Sequence, residues 1–304
     1  MMLQPLADGL ILGSIIGLGA IGVTLTYSIL RFANFAHGEY LTFGAYLTLT
    51  ALGFFAAFDA TPFGPLSFGW PLLAALLAGG ALTAALALAL DRVLFARLGR
   101  HGTSIVLVIA SFGAALALRN LLFFAYGGMP EYYSREIQIA IALVPRATMG
   151  GLRVTPDQIF VLALTAVTVV ALHLFLRHTT LGKAMRATSH NPQLARLAGI
   201  DVARVVRWTW AIGAALAAIA GVFSGLTTQI RPTLGFDLLL PLFAAAILGG
   251  IGSVPGAMLG GLIVGLAESF SVPLVGAEYR AAIAFLILIA ILLVRPTGLF
   301  GEKP

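Results

Sequence analysis

Residues 9–30 read GLILGSIIGLGAIGVTLTYSIL, a run with no charged residue and no proline. A helix needs roughly 17–25 predominantly apolar residues to cross the hydrocarbon core of a bilayer, and this run is long enough. Charge-free runs recur at residues 40–58, 60–90, 158–176, 208–230 and 238–267, and another at 103–126 is interrupted only by Arg119. The last run, 281–294, is short, and spans only if Tyr279 and Arg280 on one side and Arg295 on the other reach to the headgroups. The composition agrees: 60% of residues are hydrophobic and 10% charged, where soluble domains carry about 25% charged residues. In water such a chain would expose large apolar patches, so a soluble globular enzyme is excluded. Without cysteine there is no disulfide, no thiolate metal site and no cysteine nucleophile.

Two intervals must be divided. Thr61-Pro62-Phe63-Gly64-Pro65 cannot continue a helix, so a span starts near Trp70-Pro71. Residues 249–256, Gly-Gly-Ile-Gly-Ser-Val-Pro-Gly, break 238–267 into two short crossings, with either a loop at the inner surface or a re-entrant elbow between them. Small residues recur (Gly9, Gly13, Gly17; Gly213, Gly221, Gly225; Gly256, Gly260), as closely packed helices in lipid require. The predicted fold is an all-α polytopic membrane protein, one transmembrane domain over residues 1–304 with about nine membrane helices.

Charge sets the expected topology. Arg92, Arg97 and Arg100 follow the third span, and Arg177, Lys183, Arg186, Arg196, Arg204 and Arg207 fill 177–207 against Asp201 alone. Residues 127–157 instead balance Arg135, Arg146 and Arg153 with Glu131, Glu136 and Asp157. Positive charge stays in the cytoplasm, so 91–103 and 177–207 are read as cytoplasmic and 127–157 as external. Met1 then lies outside and Pro304 inside, and residues 1–30, lacking a basic leader and cleavage site, read as a span rather than a signal peptide. The excess of 18 Lys+Arg over 12 Asp+Glu is thus a matter of membrane sidedness, not of nucleic-acid binding.

Chemistry-bearing motifs are sparse. Gly182-Lys183 lacks the upstream glycine and the following Ser/Thr of a phosphate-binding loop, so any ATP belongs to another chain. His37, His101, His173, His178 and His190 do not cluster at metal-ligand spacing. Within 177–207, Asn191 reads as a helix N-cap, Pro192 as the first helical residue and Gly199 as the C-cap. The short helix, residues 192–198, carries Leu194, Leu197 and Ala198 on one stripe with Arg196 elsewhere. A helix this short is not stable alone in water, which favours docking on a protein partner over resting on lipid. Between the first two spans, Asn34, His37 and Glu39 sit among aromatics near or within the bilayer, where polar groups either anchor an elbow or line a path. Arg119 with Asn120, and Glu268 with Ser269, either line an aqueous path or neutralise another buried group, and structural pairing is the favoured role.

Several stretches together resemble the branched-chain amino acid importer permeases of the LivH type, within the ABC transporters. They are residues 22–27 with Asn34-Phe35-Ala36-His37-Gly38-Glu39 and Gly44-Ala45-Tyr46; Leu181-Gly182-Lys183-Ala184-Met185-Arg186-Ala187 with Asn191-Pro192 and Leu197-Ala198-Gly199-Ile200; residues 217–221; residues 249–257; and Arg295-Pro296-Thr297-Gly298-Leu299-Phe300-Gly301. The resemblance implies an ABC importer transmembrane domain in the bacterial inner membrane. Its partners would be a second, LivM-like permease, two cytoplasmic ATPases that bind ATP and Mg, and an extracytoplasmic substrate-binding protein. It makes 192–198 a coupling helix, with Gly182, Lys183, Arg186, Asn191, Pro192, Leu194, Leu197 and Gly199 as the ATPase-coupling set. Asn34, His37, Glu39, Gly249, Gly250 and Gly252 become candidate pathway-lining residues, with 34–39 and 249–256 as related elements of an internal repeat. Relatives of this type also carry urea or short amides. An ion-coupled transporter would want paired carboxylates on one span, which Glu39 and Glu268 are not. A membrane enzyme built on His37 and Glu39 would leave the basic loop unexplained.

Overall fold

The computed structural model describes residues 3–58, 61–99, 103–134, 138–144, 151–295 and 297–301. Met1, Arg100, His101, Arg135, Glu136, Arg146, Pro296 and Pro304, which entered the sequence reading, lie outside the described residues. The helices are α1 (Leu3–Leu30), α2 (His37–Phe55), α3 (Trp70–Leu90), α4 (Ser104–Tyr126), α5 (Pro156–His178), α6 (Thr180–His190), α7 (Pro192–Leu197), α8 (Val202–Thr227), α9 (Leu234–Gly249), α10 (Val254–Val275) and α11 (Arg280–Val294). A π-helical turn, Asp91–Phe95, and Ala96–Leu98 continue α3. Two short strands, β1 (Ile141–Val144) and β2 (Leu152–Val154), pair antiparallel with Ile141 opposite Val154 and a bulge between Ala142 and Val144. The bundle is mostly helical, as expected, and this two-stranded hairpin is the strand structure that the sequence reading did not anticipate.

Among the described residues, seven helices are long and apolar enough to cross a membrane, short of the nine expected. The two others fail for different reasons. α9 has only 16 residues, and α2, though 19 residues long, carries His37, Glu39, Thr42 and Thr48. The short final run gains length because the 3-10 turn Ala277–Tyr279 leads into α11, giving an 18-residue apolar segment.

Burial separates centre from rim. The apolar window of α1 is 89% buried, against 22% for α4, 17% for α5 and 6% for the last helix. Glycine explains how α1 becomes the axis. A Cβ on Gly13 would stand 2.8 Å from the Leu262 Cα, and one on Gly9 2.8 Å from the Leu266 Cα; Gly261 and Gly265 in turn lie against the backbone of Gly17 and Gly13. The α1–α10 seam is therefore backbone on backbone, the small-xxx-small contact that drives helix association in lipid. α8 and α9 also pack on α1, and α2 packs in turn on α8 and α9.

Hydrogen bonds fix which ends lie together. At one end, Gln4 bonds the Arg153 backbone in both directions (2.9 and 3.1 Å), Asp157 accepts from Ser67 and Gln138, and Glu131 bridges Ile230. At the other, Arg31 donates to the Ser189 carbonyl (2.7 Å) and the Gly252 amide donates to Thr24 (2.8 Å). The described residues of 127–157 and the 177–207 segment thus occupy opposite ends of the bundle.

The break at 249–256 is a tight turn at the second end, between α9 and α10, which pack along each other. Gly250 and Gly252 take φ of +98° and +93°, and Ser253 caps α10 by accepting from the Gly256 amide (3.1 Å). The closing Thr297–Gly301 stretch docks on this turn: the Leu299 amide donates to the Leu248 carbonyl (2.8 Å) and the Phe300 amide to the Gly249 carbonyl (3.0 Å). Gly250 has no room for a side chain against Gly301. Gly250→Ala should therefore combine a left-handed φ with this clash and destabilise by more than about 1 kcal/mol, read as a lowered Tm of the purified protein; an unchanged Tm would show that the tail does not brace the turn.

Candidate functional site

Two places bring chemistry-bearing residues together. The first is the elbow, residues 31–36, between α1 and α2. Arg31 adopts the left-handed conformation (φ 61°), unusual for a residue with a side chain, and its guanidinium holds the end of α6. The chain then turns back into the bundle. Asn34 accepts the Ala36 amide (3.1 Å), and Ser111 on α4 accepts the Phe35 amide (3.0 Å). His37 meets the Gly19 carbonyl at 3.2 Å through Nε2, which is then the protonated nitrogen. A Cβ on Gly22 would come within 2.7 Å of the His37 ring, which explains a glycine in the 22–27 motif. Gly19 lies about 16 Å back from the end of α1, at 1.5 Å rise per residue, so α2 starts well inside the bundle.

Asn34, His37 and Glu39 are all buried. Glu39 pairs with Arg119 on α4, accepting from Nε (3.1 Å) and from a terminal nitrogen (2.7 Å). The same guanidinium lies 4.1 Å from the centre of the Phe236 ring on α9, a cation–π contact. Within this single chain these polar side chains anchor the elbow. Beside them, Asn120, Phe236, Arg231 and Asp237 are exposed, and Arg231 lies 3.9 Å from Asp237. Arg119 thus has its partner in Glu39; spacing alone could not choose it over Glu268, another isolated acid in an apolar helix. Glu268 is buried as well, yet its Oε1 has no hydrogen-bond partner among the described residues.

Residues 228–233, between α8 and α9, equal the elbow in length. The starts of α2 and α9 meet: Gly235 has no space for a side chain against the Gly38 carbonyl, and its amide donates to Thr42 (2.9 Å). This connection, rather than the 249–256 turn, brings its helix start against the start of α2. Gly249, Gly250 and Gly252 sit in the turn at the second end of the bundle, apart from Asn34, His37 and Glu39.

The second place is the 177–207 segment, which is mostly helix rather than loop. Thr179 caps α6 by accepting from the Gly182 amide (3.0 Å), and Gly182 is pressed so closely on Phe175 and Leu176 that no side chain fits. Asn191 caps α7, its Oδ1 accepting from Gln193 (2.9 Å) and Leu194 (3.0 Å). Gly199, at φ +80°, ends it, and the Ile200 amide returns to the Ala195 carbonyl (3.0 Å). The helix buries Ala195 and turns Leu194 (62% exposed) and Leu197 (85% exposed) outward. Lys183 and Arg186 are exposed on α6. Apolar side chains this open on a capped turn form a surface without a partner among the described residues.

The family model described as the branched-chain amino acid transport system permease component matches residues 6–292. The chain belongs to this permease family. It is 36% identical to the high-affinity branched-chain amino acid transport system permease protein BraD of Pseudomonas aeruginosa, over 99% of this chain and 96% of that one. It is 35% identical to the corresponding permease LivH of Escherichia coli, with the same coverage. Among solved structures, PsaBC from Streptococcus pneumoniae in complex with Fab shares the fold at a TM-score of 0.50 and 15% identity, covering 95% of this chain and 91% of that one. The permease is thus a multi-pass inner-membrane protein and a transport component rather than an enzyme.

Proposed function

We propose that this permease is one of two that together form the translocation path of an ATP-driven ABC importer for branched-chain amino acids. The observation that carries this reading is identity of 36% and 35% along almost the whole chain to two permeases named for that transport. The nine-span arrangement adds α2 and α9 to the seven long apolar helices, with the end that holds 127–157 outside and the end that holds 177–207 in the cytoplasm. The N-terminus is then external and the C-terminus cytoplasmic.

In this reading α7 is the coupling helix. Two cytoplasmic ATPases bind ATP and Mg, and each receives Leu194 and Leu197 of one permease in a groove. Asn191, Pro192 and Gly199 fix the shape of the helix, while Gly182 fixes α6 on α5, so a push on α7 passes to a membrane helix rather than dissipating in a flexible loop. Lys183 and Arg186 supply charge beside the contact. The second permease, of the LivM kind, covers the α4 and α9 face where Arg119, Phe236 and Asp237 stand, with Asn34, His37 and Glu39 supporting the path from behind. An extracytoplasmic binding protein delivers the amino acid at the opposite end.

Leu194→Asp with Leu197→Asp tests the coupling assignment. Both side chains are exposed, so the permease itself should fold with an unchanged Tm. Loss of two apolar anchors that the ATPase groove would bury, each worth about 1.5–3 kcal/mol, should reduce ATPase co-purification by well over tenfold and abolish uptake of radiolabelled leucine. Normal ATPase assembly with normal uptake would remove α7 from the coupling role.

A further inference from the structure

A cavity of about 750 Å³ opens at the same end of the bundle, between the last turns of α1 and α5, α6, the α9–α10 turn and the C-terminal segment. This is within the size range of about 300–1,000 Å³ typical of ligand sites. Its lining is divided in kind. Arg31, Arg177 and Arg186 contribute guanidinium groups, with His173 and His190 beside them, and no Asp or Glu is among the described lining residues. Leu25, Ile29, Leu176 and Ile247 provide aliphatic wall.

Three guanidinium groups around one space repel one another unless an anion joins them. Arg31 is engaged with the Ser189 carbonyl, whereas Arg177 and Arg186 have no carboxylate partner among the described residues. Guanidinium forks match phosphate oxygens in geometry and charge. A free phosphate would have no use for the aliphatic wall, but a phospholipid presents both an anionic phosphate and acyl chains. The walls themselves come from α1 and α5, membrane helices, and α5 lies at the rim of the bundle.

We propose that this cavity binds the phosphate headgroup of an anionic phospholipid, with Arg177 and Arg186 on the phosphate and the α1 and α5 aliphatics against the upper acyl chain. Basic pockets between membrane helices take anionic headgroups in this manner. The bound lipid would join α6, the element that carries the coupling turn, to α1 and the α9–α10 turn. The inference rests on the functional reading above only for the leaflet that supplies the lipid. Uptake assays test that reading, whereas lipid retention tests the cavity whichever way the chain faces.

The experiment is lipid retention by the purified transporter exchanged into nanodiscs of mixed phosphatidylcholine and phosphatidylglycerol, read by mass spectrometry of the intact complex. The native protein should keep phosphatidylglycerol in preference to phosphatidylcholine. Each basic group at a membrane surface strengthens anionic-lipid binding roughly fivefold, so Arg177→Gln with Arg186→Gln should lower retention on the order of twentyfold. Arg177→Lys with Arg186→Lys should restore most of it and guards against a folding artefact, and Arg97→Gln, a basic residue outside the cavity, should change nothing. Inorganic phosphate at millimolar concentration should fail to displace the lipid. Equal retention by the native protein and the double glutamine variant would overturn the proposal. So would displacement by inorganic phosphate, which would assign the cavity to a free anion.

Discussion

Arg119→Ala is expected to leave almost no folded permease in the membrane, whereas Glu39→Gln combined with Arg119→Gln is expected to restore it. The Glu39 side chain is 1% exposed and its two hydrogen bonds from Arg119 include the shortest ion-pair contact, 2.7 Å, among the described residues. Removing one member of a buried pair costs about 3–5 kcal/mol because the other charge is stranded, and total stability is only about 5–15 kcal/mol. The double amide keeps the shape and removes both charges, so most of that loss should return. Glu39→Ala should be milder than Arg119→Ala, since Arg119 is 15% exposed and keeps the Phe236 ring. Monodisperse yield after detergent extraction, with Tm by intrinsic fluorescence, checks all four proteins. A stable Arg119→Ala variant would mean that the pair does not hold the elbow in place.

Gly261→Val should be at least as damaging, for a reason of space rather than charge. A Cβ at this position overlaps the Gly17 backbone, and one at Gly265 overlaps Gly13. No side-chain rotamer relieves a collision with main chain, so α1 and α10 must separate along their whole seam. Overpacking of a core costs about 1–3 kcal/mol when side chains can adjust, and here nothing can. Gly80→Ala on α3 is the control: nothing lies within 4 Å of a Cβ there, and alanine favours a helix over glycine by about 1 kcal/mol. Expression and Tm should fall steeply for Gly261→Val and hold or rise for Gly80→Ala. Equal behaviour of the two would dismiss the seam as the axis of the fold.

The parts of the molecule that were legible in the sequence are those with a local cause. Charge-free runs show the membrane helices because lipid excludes charge, and Asn191, Pro192 and Gly199 show α7 because capping is a property of neighbouring residues. The 177–207 segment looked like a loop because α6 and the first turns of α8 are polar helices with no hydropathy signal. α2 was readable as apolar, but its starting depth was not; that depends on His37 finding the Gly19 carbonyl and Gly22 leaving room for the ring. The Glu39–Arg119 pair joins residues in separate helices, and the meeting of the 249–256 turn with the closing Thr297–Gly301 stretch joins two motifs some forty residues apart. Each requires knowing which backbones touch, and in this fold that is decided by where glycine permits it.

The partnership of Gly13 and Gly17 with Gly261 and Gly265 has a consequence for biosynthesis. α1 leaves the ribosome long before α10, so its flank waits for cover over an interval on the order of tens of seconds at ordinary translation speed. Lipid tolerates the wait, since an uncovered glycine stripe exposes no unpaired amide to the acyl chains. A nascent chain truncated before α10 should therefore remain inserted yet loose, and be a substrate for membrane quality control rather than for aggregation.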